Sequence, residues 1–259
     1  MGKHHRQYTQ GGTHARHLQL STAVSNSYFQ FKQFCIHHDR CAMKVGTDGV
    51  LLGAWAKLPE SGRLLDIGTG SGLIALMAAQ RCHSLVVTGI DIDSEAVAQA
   101  RENVASSPFA SRIAIIQSSL QDFTPASFDA IVCNPPFFEE SLLPPDINRS
   151  NARHTNSLPF SELVSRSASL LSPNGLLNVI LPTTALPQFT SLCEQRSLRT
   201  IRLCHVHTTA SKPPKRTLAT FCKCPAVDAP QLVTDELVLQ DGPHRSPAYS
   251  KLTADFYLR

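Results

Sequence analysis

From Arg63 onward the chain alternates short apolar runs with stretches whose apolar residues recur every three or four positions. Arg63–Ile67, Leu85–Asp91, Arg112–Gln117, Phe128–Cys133 and Gly175–Leu181 read as strands. Phe128–Cys133 is apolar at every position but Asp129, in keeping with a buried parallel strand. Ser71–Arg81, Ser94–Ala105 and Pro159–Leu171 read as helices, and Thr184–Arg196 as a helix with a break at Pro187. Arg199–His207 and Thr217–Cys224 alternate and predict a pair of edge strands. Strands and helices alternating at this spacing predict an α/β domain with an open, mostly parallel sheet and helices on both faces.

Upstream, aromatic and β-branched residues in Tyr28–Phe31 and Phe34–His37 predict a hairpin. Thr47 or Asp48 is placed to cap a helix through Leu51, Leu52, Trp55, Ala56 and Leu58, with Pro59 and Gly62 ending it. Trp55 is expected in the core. Residues 1–27 are polar and predict a disordered tail; 28–259 form one domain, divided into 28–60, a core at 61–224 and a C-terminal extension at 225–259. The segment 226–246 gives no clear signal, and Leu252–Leu258 is expected to pack back as a short element.

With 42% apolar and 17% charged residues the composition is that of a globular protein. No apolar stretch is long enough to span a bilayer, and the N-terminus lacks the apolar core of a signal peptide. A cytoplasmic protein with no membrane contact, and a monomer, is expected. The eight cysteines are scattered, most within apolar runs, so reduced buried thiols are expected. Cys222 and Cys224 read as neighbours on one strand face, with no second ligand pair to make a metal site. Net charge is only +4, but the seven basic residues from Arg196 to Lys223 have no acid among them. Such clustering suits a polyanion, with Arg196, Arg199 and Arg202 extending a basic face. His205 and His207 are further candidates for base stacking.

The strongest local motif is Asp66-Ile-Gly-Thr-Gly-Ser-Gly72, between a strand and a helix. Gly68 and Gly70 permit a tight turn and close approach to a ligand; Gly72 permits close packing of the helix on the sheet. Glycines alone do not name the cofactor, since dinucleotide sites share the logic. The acid does more: Asp66 puts a carboxylate at the ligand's edge, unfavourable to a pyrophosphate and favourable to a cation. S-adenosylmethionine carries a sulfonium and an ammonium and no phosphate. Asp91, ending the next strand, is placed to accept ribose hydroxyls, with Asp93 a weaker candidate.

Asn134-Pro135-Pro136-Phe137 follows Phe128–Cys133 directly, at the edge where an open parallel sheet binds ligands. The prolines fix the backbone, so that the Asn134 side-chain oxygen and the Pro135 carbonyl are able to accept the two hydrogens of an exocyclic amine. Holding both localises the nitrogen lone pair, and Phe137 stacks on the ring. Methyl transfer to such a nitrogen neutralises the sulfonium and requires no metal.

These residues resemble the class I Rossmann-like S-adenosylmethionine-dependent methyltransferases, and among them the amino-methyltransferases with an Asn-Pro-Pro-aromatic tetrad. That group includes nucleic-acid adenine enzymes and enzymes that methylate a release-factor glutamine. Phe31-Lys-Gln-Phe34 and Met43-Lys-Val-Gly-Thr-Asp-Gly-Val-Leu-Leu-Gly-Ala-Trp55 resemble the N-terminal signature of the bacterial tRNA1(Val) (adenine-N6)-methyltransferases. The resemblance covers about Tyr28 to Cys224 and implies a seven-stranded, mostly parallel sheet with an antiparallel last strand. It implies methylation of the N6 amine of a tRNA adenosine beside the anticodon. Catalysis would fall to Asn134, Pro135 and Phe137. The cofactor would be held by Lys44, Thr47, Asp48, Asp66, Gly68, Gly70, Gly72, Asp91, Ile92, Ser119, Leu120 and Asn134. The tRNA would meet Pro136, Phe137, Arg153, His154, Lys212, Lys215 and Arg216, beneath a lid at Leu143–Ile147. Ser119 departs from the family, which has an acid there; Asp122, three residues on, is not expected to substitute directly. A glutamine N5-methyltransferase and a non-catalytic RNA-binding protein of the same fold are the alternatives.

Overall fold

The computed structural model describes residues 1, 26–124, 127–136 and 158–258. Tyr28–Gln30 (β1) and Cys35–His37 (β2) form the predicted antiparallel hairpin. Thr47–Trp55 (α1) follows, then the alternating series Ser61–Ile67 (β3), Leu73–Arg81 (α2), Ser84–Asp91 (β4), Ser94–Ala105 (α3), Ile113–Gln117 (β5) and Phe128–Cys133 (β6). Phe160–Leu170 (α4), Leu171–Pro182 (β7), Leu186–Glu194 (α5), Leu198–Thr209 (β8) and Arg216–Lys223 (β9) complete the core. Val233–Asp241 (β10), His244–Arg245 (β11) and Pro247–Leu252 (α6) come last.

The sheet has nine strands in the order β11-β10-β8-β9-β7-β6-β3-β4-β5. Within it lies the seven-stranded sheet of the resemblance: β9, the last of the seven in sequence, runs antiparallel to both β7 and β8. The unclear segment after residue 225 extends it, since β10 pairs in parallel with β8. This corrects one expectation. Neither β8 nor β9 is an edge strand, because β9 lies between β7 and β8 and β8 is covered by β10. The strands from β3 to β5 step outward one way and β6 returns to the other side of β3. Strand order therefore reverses between β3 and β6, and a crevice opens there above the carboxyl ends.

Two buried apolar clusters lie against the sheet. One gathers α1, α2, α3, the hairpin and Phe256; the other gathers α4 and α5 with Phe128 and Phe221. Trp55 is core, 4% exposed, with the Arg202 guanidinium 4.1 Å above its ring. The hairpin and the C-terminal segment clasp each other. Phe31 bridges to Tyr257, Lys32 N donates to the Phe256 carbonyl, and Arg245 stacks 4.0 Å over Tyr257.

Helix ends differ from expectation at both ends of α1, which stops at Trp55 short of Leu58, and at Pro187. α1 starts from Gly46 with no side-chain cap, so Thr47 and Asp48 are its first helical residues. Asp48 favours that turn through the helix dipole instead. Pro187 does not break a helix; it occupies the first turn of α5, where its missing N–H costs nothing. All eight cysteines are unpaired, and Cys222 and Cys224 pack together against Ile201.

Candidate active site

A cavity of about 630 Å³ opens over the switch point, a volume suited to a small-molecule cofactor. Its floor is the turn after β3. Gly68 and Gly70 hold φ values of +68° and +53°, and a Cβ at either would meet only open space. The loop thus turns bare backbone to a ligand. Gly72 does something different from expectation. At φ +82° it caps α2, and a Cβ there would lie 3.5 Å from that of Ala100. Its close packing is against α3 rather than the sheet, and it does not line the cavity.

Asp66 is also relocated. It is fully buried beneath the loop, where its Oδ2 accepts from Thr69 Oγ1 at 2.7 Å and from the Ala75 N–H at 3.2 Å. Oδ1 is buried with no hydrogen-bond partner among the described residues. Burial pushes its carboxyl up to about 7 against those two hydrogen bonds. Asp66 organises the glycine turn and is not a rim carboxylate.

Asp91 does reach the cavity. Its Oδ2 accepts from the Gly70 N–H at 2.9 Å and its Oδ1 from the Asp93 N–H at 3.0 Å. Each oxygen keeps a lone pair for a hydroxyl. Asp93 lines the cavity too while capping α3 through the Glu95 N–H. Beyond β5 stand Ser119, Leu120 and Asp122. Ser119 Oγ donates to Asp122 Oδ2 at 2.6 Å and accepts from the Asp122 N–H at 3.1 Å. This reciprocal turn brings Asp122 back beside Ser119, so the acid missing at 119 stands in the cavity after all. Counting residues along an extended chain misplaces it.

Asn134, Pro135 and Pro136 form the wall where β6 ends, with Ile92 opposite and Leu158 nearby. Asn134 is half-buried, Pro135 buried and Pro136 exposed. Cys41, Ala42 and Met43 make a further wall that sequence reading of the core motifs did not reach; the only signal was the resemblance beginning at Met43. Cys41 is no nucleophile, since burial raises its thiol to about 11. Burial likewise raises Cys133.

Among the described residues, the cavity lining contains three aspartates and no Lys, Arg or His. A pyrophosphate would be repelled, whereas a cationic ligand with hydroxyls is matched. These residues fit S-adenosylmethionine. Among the described residues no group of His, Cys, Asp and Glu could hold a metal ion, and no helix is long and apolar enough to cross a membrane.

The other expected residues among those described are outside the cavity lining. Lys44, Thr47 and Asp48 are not in its lining. Asp48 Oδ2 accepts from Arg216 Nε at 3.0 Å, joining a residue expected at the cofactor to one expected at the tRNA. Lys212 and Lys215 are exposed in the turn between β8 and β9. His207 Nδ1 donates to the Lys212 carbonyl and His205 Nδ1 bonds Thr217, so both rings shape this turn. β8 runs parallel with β10 and opposite to β9, so its start lies at the end of the sheet away from the cavity. Arg196 and Arg199 therefore do not extend the basic turn, and Arg202 is spent on Trp55 and, 3.8 Å away, Asp235. Phe137, Arg153, His154 and the lid at Leu143–Ile147 lie outside the described residues.

Comparison with known proteins shows the family. Residues 43–194 match the methyltransferase small domain family. A Parabacteroides distasonis protein named tRNA1(Val) (adenine(37)-N6)-methyltransferase is 45% identical over 91% of this chain and 100% of its own length. A Mannheimia succiniciproducens protein of the same name is 42% identical over 92% of this chain and 98% of its own. Among solved structures, a predicted O-methyltransferase from Agrobacterium tumefaciens superposes with a TM-score of 0.64 at 17% identity, covering 81% of this chain and 96% of that one. A methyltransferase from Pyrococcus furiosus gives 0.51 at 19% identity, covering 67% and 81%. At such identities these two structures speak to the fold alone.

Proposed function

Because the chain belongs to the bacterial tRNA1(Val) (adenine-N6)-methyltransferase family, we propose that it methylates the N6 amine of the adenosine that those relatives are named for, nucleotide 37 of that tRNA. The activity is S-adenosylmethionine-dependent N6-adenine methylation of tRNA. The single observation that carries the assignment of roles is the meeting of Asn134, Pro135 and Pro136 with the carboxylate-lined cavity.

When bound, S-adenosylmethionine supplies a methyl group on a positively charged sulfur. Gly68 and Gly70 offer it backbone without side chains. Asp91 would hold ribose hydroxyls, and Ser119 with Asp122 would be the partners for the adenine amine. Ile92 and Leu120 give the apolar walls a purine needs. On the substrate side the Asn134 Oδ1 and Pro135 carbonyl accept the two N6 hydrogens. That pairing would draw the nitrogen from planarity and free its lone pair for the methyl group that the cofactor would supply. Pro136 would border the ring; for Phe137, Arg153 and His154, which lie outside the described residues, the resemblance alone implies contact with the ring and with the base or its phosphates. Lys212 and Lys215 meet the backbone of the tRNA, with Arg216 held by Asp48 beside them.

The experiment is methylation of an unmodified tRNA1(Val) transcript with isotopically labelled cofactor, followed by nucleoside mass analysis. Label in N6-methyladenosine at position 37 is expected; label in protein, or none, rejects the reading. Asn134→Ala should lower kcat about 10²–10³-fold, the scale of losing one transition-state hydrogen bond, with cofactor affinity little changed.

A further inference from the structure

The cavity wall Cys41–Met43 belongs to the connection between β2 and α1, which no sheet ladder supports. Two buried amides of α3 hold it. Gln99 and Asn103 lie one turn apart on the inward face of α3 and are 1% and 2% exposed. Asn103 Nδ2 donates to the carbonyls of His37 at 2.8 Å and Ser71 at 2.9 Å, while its Oδ1 accepts from the His37 N–H at 3.0 Å. It ties the hairpin to the glycine loop. Gln99 grips the next three residues in the direction of the cavity. Its Nε2 donates to Asp39 Oδ1 at 2.7 Å. Its Oε1 accepts from the Arg40 N–H at 3.0 Å and from Cys41 Sγ at 3.2 Å. Both acceptor lone pairs and one donor of a buried amide are thus spent on one exposed connection. Ala42 and Met43 follow at once and are exposed to the cavity. Gln99 itself is not among the lining residues, although Ala96 of the same helix is.

We infer that Gln99 is a positioning residue for the cofactor, acting through Asp39, Arg40 and Cys41 to hold the Cys41–Met43 wall in its binding shape. The inference rests on the reading of the cavity as the S-adenosylmethionine site. A connection already held in its bound shape spares the ligand the cost of ordering it. Releasing it therefore weakens cofactor binding without touching the groups that react, which raises KM and leaves kcat.

The test uses the full chain, an unmodified tRNA1(Val) transcript and labelled S-adenosylmethionine. Gln99→Leu should raise the cofactor Kd, read by equilibrium titration without tRNA, and the cofactor KM alike about tenfold, the effect of losing one or two net hydrogen bonds, with kcat within about twofold and KM for tRNA unchanged. Asp39→Ala, at an exposed position that folding tolerates, should raise the same KM about threefold. Asp39→Asn keeps an oxygen for Gln99 Nε2 and should restore the wild-type value. In the Gln99→Leu background, Asp39→Ala should add nothing, because the bond is already gone. The inference is overturned if Gln99→Leu keeps the wild-type KM, or if both substrates and kcat change together in step with the folded fraction. It is equally overturned if Asp39→Asn behaves as Asp39→Ala. Should Gln99→Leu not fold, the Asp39 pair decides alone. A wild-type protein that consumes no S-adenosylmethionine overturns the reading of the cavity instead.

Discussion

Asp66 and Asp122 are separated by what surrounds a carboxylate. Asp122 is exposed on the cavity rim and returned there by its own turn with Ser119. Asp66 is sealed under the glycine loop with one oxygen unpartnered, and its carboxyl is raised from 3.8 to about 7 by burial. The folded state therefore holds a proton that the unfolded chain releases. Stability from this group is complete below 3.8 and is lost as pH climbs toward 7. Asp66→Asn removes the titration while leaving an oxygen for Thr69 and Ala75. Thermal melts of the two proteins across this range should show wild-type stability falling relative to the variant up to about pH 7 and running parallel above it. Parallel melts throughout would mean that Asp66 ionises normally. The sequence made an acid at this position legible, but its depth depends on which atoms cover it.

Among the elements, α1 shows how closely packing is set by single residues. Its Gly53 faces α2, where a Cβ would come within 2.5 Å of Met77 Sδ and 3.1 Å of Met77 Cβ. Met77 is fully buried, and its Cβ as well as its flexible end stands in the way. Helix propensity favours alanine over glycine by about 1 kcal/mol, while overpacking a filled core costs about 1–3 kcal/mol. Packing wins, so Gly53→Ala should lower the unfolding midpoint in urea with the slope unchanged. A raised midpoint would show that the α1–α2 contact yields easily. The glycines were visible in the sequence, but a helical glycine reads as a weakness until its neighbour is known. The same holds at β8 and β9. Their alternation predicts strands, while only the position of β10 shows that neither is an edge.

Across the whole molecule, strand direction sorts the basic run. The segment from Arg196 to Lys223 is continuous in sequence, yet β8 carries its first arginines to the end of the sheet opposite the cavity. The turn bearing Lys212 and Lys215 stays at the cavity end. Lys212→Ala with Lys215→Ala should raise KM for tRNA and reduce the slope of log affinity against log salt by about two, with cofactor KM unchanged. The pair Arg196→Ala and Arg199→Ala should leave that slope close to wild type. Equal effects from both pairs would contradict the sorting. The clasp of Phe31 with Tyr257 closes the other side, bringing the hairpin and the C-terminal segment together over α2 through Gln80 and the Asp255 carbonyl.

By itself the sequence determined what depends on neighbours in the chain. Alternating periods dictated strands and helices, the Gly68-to-Gly72 spacing dictated a tight turn, and Asn134-Pro-Pro dictated a rigid end to its strand. These are local because backbone sterics and side-chain spacing act over a few residues. Tertiary structure decided which groups meet across long separations. It buried Asp66, paired Asp48 with Arg216 168 residues away, and gave Cys41 a support 58 residues distant in Gln99. Such contacts follow from sheet order and strand direction, and no local pattern encodes the energy of a neighbour that folding has yet to bring near.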